Sequence, residues 1–233
     1  MPYRELDESN IINTIARLKA RISERFPGSG LSKVADELTR IGNEVVETVT
    51  YLGAPNYAVR VPVTIAIILI IVIAGIAMVK TKGDVTRWES INSGISNVVF
   101  VGIAINFLLS IETKVKRRRA LRMIHQLRSV AHVVDMHQLT KDPERLTSPA
   151  PDTQSSPERT MTQVQLGRYL DYCSEMLSVT SKLAALLVQR FSDEVILDAV
   201  NDIETLATGL SGKIWQKIRL IDRPQAPPDL HHT

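Results

Sequence analysis

Apolar residues recur along this chain in distinct rhythms. Ile11, Ile12, Ile15, Leu18, Ile22 and Phe26 step at helical spacing. Leu31, Val34, Leu38, Ile41, Val45, Thr48 and Leu52 then alternate steps of three and four, a heptad seam holding one threonine. Between them FPGSG (26–30) breaks the helix, since Pro27 has no N–H and the two glycines resist helical order. Residues 1–56 therefore predict an αα-hairpin. The stretch GSGLSK (28–33) follows a helix and lacks the GxxxxGK[ST] spacing, so it is an interhelical turn and not a phosphate loop.

The amphipathic rhythm then stops. Val61–Val79 and Ile95–Ile111 carry no charge. At ~1.5 Å per residue they make helices of about 28 and 25 Å, against a hydrocarbon core of ~30 Å. The first run has twelve Ile, Leu or Val side chains. At roughly −0.3 to −0.6 kcal/mol each, insertion is favoured by about 5 kcal/mol. The second is diluted by Asn97, Gly102, Asn106 and Ser110 and is expected to enter as a hairpin with the first. Pro62 falls in the opening turn of the first span, where proline is tolerated. Sixty mostly polar residues precede that span, so a cleaved signal peptide is not expected.

Charge sets the orientation. The loop 80–94 carries Lys80, Lys82 and Arg87, whereas Lys114, Lys116, Arg117, Arg118, Arg119, Arg122 and Arg128 crowd the far flank. Positive flanks stay cytoplasmic, which places both termini inside, Trp88 at the outer interface and Tyr51 and Tyr57 at the inner one. Lys114, Lys116, Arg117, Arg118, Arg119 and Arg122 are further expected to hold anionic headgroups, at about 1 kcal/mol each. A net charge of +3 does not make this a nucleic-acid binder. Aromatic residues are not interleaved with the basic cluster, and residues 139–233 carry 10 basic against 13 acidic residues.

The remaining segments are a basic juxtamembrane helix (113–139), a Pro-rich flexible linker (140–160), a C-terminal helical hairpin (161–222) and a disordered tail (223–233). Ala120, Ile124, Leu127, Ala131 and Val134 form the apolar side of the juxtamembrane helix, leaving His125 and His132 solvated beside Asp135. Thr160 and Gln163 fit a capping box. Leu166, Leu170, Cys173, Leu177, Ala184, Leu187 and Phe191 line the next helix; Ser192 or Asp193 caps its successor. Ile196, Val200, Ile203, Leu206, Leu210, Ile214 and Ile218 line that last helix. Two helices cannot hide both stripes, so pairing with the N-terminal hairpin or with other subunits is expected.

Catalytic chemistry finds no foothold. Cys173, the only cysteine, falls in the apolar register as a buried thiol, and no carboxylate pair is singled out. Neither a metal nor an organic cofactor is expected. Gly102, Asn106 and Ser110 repeat every four residues along one face of the second span. That face can pack against Ala74 and Ala77, join subunits, or line a pore. Ile214, Trp215, Lys217 and Ile218 form a basic amphipathic stretch for surface docking, or an ordinary helix end.

These features predict an all-α membrane protein: a two-span transmembrane helical hairpin with cytoplasmic αα-hairpins, bundle- and coiled-coil-like. The function they suggest is a non-enzymatic, self-associating scaffold or signalling adaptor of a bacterial inner (plasma) membrane. Leu31, Val34, Leu38, Ile41, Val45 and Leu52 would be its oligomer or partner seam, its partners being anionic lipid, a second copy and another protein. The alternative is a small oligomeric channel or membrane-permeabilising effector gated by its cytoplasmic helices.

Overall fold

A computed structural model describes residues 5–80, 87–141, 143, 154 and 161–221, without the side chains of 77–98. The side chains of Ala77 and Trp88, together with Thr160, most of the linker and the C-terminal tail, lie outside that description. All regular structure among the described residues is helical: α1 (Glu8–Arg25), α2 (Gly30–Gly53), α3 (Tyr57–Lys80), α4 (Arg87–Leu139), α5 (Gln163–Arg190) and α6 (Glu194–Ile221). They form two compact units, residues 1–49 with 121–233, and residues 50–120.

The first unit is a helical bundle built from both hairpins and the end of α4. Asp7 caps α1 by accepting from the backbone N–H of Ser9 and Asn10, and Ile11, Ile15, Leu18 and Ile22 turn inward. Gly28 takes φ +68° in the turn that follows, a conformation open to glycine. The α5 helix is central. Besides the expected stripe it buries Tyr169, Tyr172, Met176, Val179, Leu183 and Leu186, because α6 covers one side and α1 another. Phe26 meets Tyr169 and Tyr172 edge-on, with centroids 5.4 and 6.3 Å away, and Arg21 pairs with Glu175. Gln189 exchanges two hydrogen bonds with the backbone of Leu6, at 2.8 and 3.2 Å. The α5 stripe is thus covered by the chain's own α1 and α6, and α6 meets the end of α4 through Arg128 and Asp202 at 3.0 Å.

Local details shift the expected boundaries. The capping box of α5 uses Thr162 and Gln165, two residues beyond Thr160 and Gln163. Asp193 caps α6, accepting from Ile196 N–H at 3.3 Å. Ala207, not Leu206, takes the fully buried position in α6. In the second unit, α3 begins at Tyr57, so Pro62 lies beyond the first turn and deprives Ala58 of its i+4 donor.

That second unit pairs α3 with the first part of α4. Val59, Val63, Ala66, Ile67, Ile70 and Ala74 are half-buried on α3, as are Val101, Ala104, Ile105 and Leu108 on α4. The other faces are bare grease: Ile65, Ile68, Leu69 and Ile73, with Phe100, Ile103, Phe107 and Leu109, each stay more than half exposed. Among the described residues one helical stretch, Gly30–Ile76, which takes in most of α3, is long and apolar enough to cross a bilayer, and none of its apolar window is buried. The run 95–111 enters the described side chains only from Val99.

Candidate functional site

A polar cluster closes the end of the second unit where α2 stops, α3 starts and the apolar part of α4 finishes. Chemistry dictates what this junction needs. The last carbonyls of α2 lack intrahelical donors, and the first amides of α3 lack acceptors. Lys116 meets the first need: its Nζ donates to the carbonyl oxygens of Leu52 (3.0 Å) and Ala54 (2.8 Å). Glu112 meets the second, its Oε1 accepting from Asn56 N–H at 3.2 Å, just ahead of α3. Lys116 Nζ lies 3.2 Å from the same carboxylate oxygen, and Arg60 Nε donates to Oε2 at 2.7 Å. Asn56 reaches the Tyr51 hydroxyl, and the Arg119 guanidinium lies over the Tyr51 ring, 4.5 Å from its centroid.

Electrostatics follow from these contacts. The Arg60 hydrogen bond, with support from Asn56 N–H and Lys116, outweighs burial and holds the Glu112 carboxyl down at about 2. The same pair raises the Arg60 guanidinium above its ordinary value. Charges of +1 (Arg60), +1 (Lys116) and −1 (Glu112) leave the cluster at +1.

The basic run is therefore not one uniform patch. Lys116, expected among the headgroup-facing cations, is buried and spent on α2; this corrects the reading of KVKRRR as wholly outward. Lys114, Arg118 and Arg122 remain exposed, and Lys114 lies 4.6 Å from the Phe107 ring centroid. Arg117 and Arg119 are half-buried.

Gly102 and Asn106 point away from α3. A Cβ on Gly102 would meet nothing within 4 Å, Asn106 is exposed, and no hydrogen bond among the described residues engages its amide. Ser110 is half-buried and donates to Phe107 O at 2.7 Å. Packing of this stripe against Ala74 is overturned, because α4 turns Val101, Ala104, Ile105 and Leu108 towards α3 instead.

The seam residues Leu31, Val34, Leu38, Ile41 and Val45 are buried in the bundle, and Leu52 in the second unit. As an oligomer seam they are already occupied by this chain. Of the proposed docking stretch, Ile214 and Ile218 face the core, and Lys217 donates to Gln138 O at 2.9 Å; only Trp215 stays exposed. His125 and His132 are exposed. Arg60, Glu112, Asn56 and Tyr51 went unnoticed in the sequence as partners, although a charge bordering each apolar run was visible there.

No family model, curated protein or solved structure matches the chain.

Proposed function

We propose that this chain is a non-enzymatic integral membrane scaffold or signalling adaptor. Val61–Val79 and Ile95–Ile111 cross the bilayer as a hairpin, both termini face the cytoplasm of a bacterial cell, and copies associate within the membrane. The observation that carries the reading is the outward face of the second unit. There an apolar surface that stays exposed among the described residues includes the Asn106 amide, which has no partner among them, beside Gly102. Exposed apolar surface on this scale suits lipid. A lone amide facing lipid is costly, and small residues beside it allow a second helix to approach. The heptad seam no longer serves as the joining surface; the span does. Exposed faces of the helical bundle would recruit the partner protein.

Chemical crosslinking in native membranes tests this. Asn106→Leu should stay in the membrane after carbonate washing while its oligomer weakens by roughly tenfold, about the worth of one interhelical hydrogen bond in lipid. A wild-type protein that is monomeric in membranes defeats the self-association. Ion flux through reconstituted liposomes that disappears in Asn106→Leu would favour the channel alternative, which the outward amide also suits.

A further inference from the structure

Between α3 and α4 runs a groove of about 310 Å³, lined by Val63, Ile67, Leu108 and Leu109 with Arg60 and Glu112 at one end. Its wall is aliphatic over the first two turns beyond Arg60, roughly 10 Å at 1.5 Å per residue. Thr64 does not interrupt it, since its hydroxyl is turned back to Arg60 O at 2.8 Å.

Arg60 is anchored on one edge only. Nε is bonded to Glu112, the side chain is 55% exposed, and the terminal guanidinium nitrogens have no partner among the described residues. Glu112 meanwhile receives Arg60, Lys116 and Asn56 N–H together, so its charge is answered within the cluster. What remains at the mouth is a fixed fork of N–H donors carrying the cluster's net +1. A guanidinium held this way matches the paired oxygens of a phosphodiester, and the adjoining groove matches an acyl chain.

We infer that this groove binds one phospholipid, its phosphate on the outer edge of Arg60 and one acyl chain along Val63, Ile67 and Leu108. The inference rests on the membrane reading above and adds a discrete lipid site to it. The carboxylate–lysine pair positions the arginine; the arginine meets the ligand.

Native mass spectrometry of the detergent-extracted full chain, titrated with phosphatidylglycerol, tests the site. One lipid should be retained by the wild type. Arg60→Ala should lower retention roughly fivefold, the worth of one basic residue beside an anionic lipid. Ile67→Trp fills the groove while leaving Arg60 and Glu112 in place, and should lower retention similarly with an unchanged helical circular-dichroism spectrum. Arg25→Ala, at an exposed arginine that ends α1 in the helical bundle, should retain lipid as the wild type does. Equal retention by all four proteins, or displacement of the lipid by glycerol phosphate as readily as by a second phospholipid, overturns the inference. Carbonate washing separates the two failures. Chain that stays in the membrane pellet but retains no lipid overturns the site alone, whereas chain released to the supernatant overturns the membrane reading and the site with it.

Discussion

The Lys116 ammonium lies 2.8 Å from the carbonyl oxygen of Ala54, across 62 residues of sequence. It ends α2 from a distance, in place of a local glycine cap, and ties that end to the α4 residue that also holds Glu112. Lys116→Met keeps the apolar stem but removes the donor to two carbonyls and a carboxylate. We expect a loss of ~1–3 kcal/mol, as for other buried acceptors left without a charged partner. Thermal unfolding in detergent measures it, with Arg118→Ala as a near-neutral comparison. Equal stability of the two variants would mean that water caps α2 as well as Lys116 does.

Glu112 predicts an acid-sensitive junction. Its carboxyl titrates at about 2 when folded, against an ordinary value of 4.5, because Arg60 binds the ionised form. A depressed folded value stabilises the fold above the unfolded value and loses that contribution as pH falls towards the folded one. The stability gap between wild type and Glu112→Gln should hence be constant at neutral pH and close between pH 4.5 and about 2. A gap independent of pH over that window would mean that hydrogen bonding, which the amide partly keeps, outweighs the charge.

Leu38 separates packing from assembly. It is 1% exposed in the bundle, so Leu38→Ala should cost ~2–5 kcal/mol by transfer and cavity terms. Oligomer size in membranes should not change. Dissociation without destabilisation would return the seam to an intermolecular role.

Periodicity made α1, α2, α5 and α6 legible, since each must turn an apolar stripe to a core whatever covers it. What covered the stripe was not legible. Leu31 to Val45 carry the same heptad whether the facing helix belongs to this chain or another, and α5 hid a second buried face behind Tyr169 and Tyr172, residues suited to either surface or core. The basic run shows the same limit. Six cations in KVKRRRALR are equal on the page, and only the rotation of α4 against α2 chooses Lys116 for burial. The Gly102 stripe was visible, but its direction depended on which α4 residues turned to α3.

Gly42 predicts a steric limit at the crossing of α1 and α2. A Cβ there would stand 3.1 Å from Ile15 Cδ1 and 3.2 Å from Ile12 Cδ1, with Leu183 Cδ1 at 3.8 Å. Gly42→Ala meets two opposing effects, a helix-propensity gain of ~1 kcal/mol and the few tenths of an ångström that two isoleucines must yield. It should be close to neutral. Gly42→Leu has no such relief and should cost ~1–3 kcal/mol by overpacking. Denaturant titration of both variants checks the order; a stabilising leucine would place α1 further from α2.

Cys173 reports on the centre of the bundle. It is fully buried, and burial pushes its thiol up to about 12 despite the opposing influence of Lys217. The thiolate is the reactive form, so the folded protein should resist maleimide, and raising the pH to about 9 should not speed labelling as it does for an exposed thiol. The sign for stability runs the other way from Glu112. Folding favours the neutral thiol, so this contribution is present below the ordinary value of 9.0 and declines as pH rises from there towards about 12. Denaturant should release labelling in step with loss of the α5 helix, read by circular dichroism across the same titration. Labelling of the native chain at the rate of a free thiol would mean that α5 opens on its own, and that α1 and α6 do not enclose it.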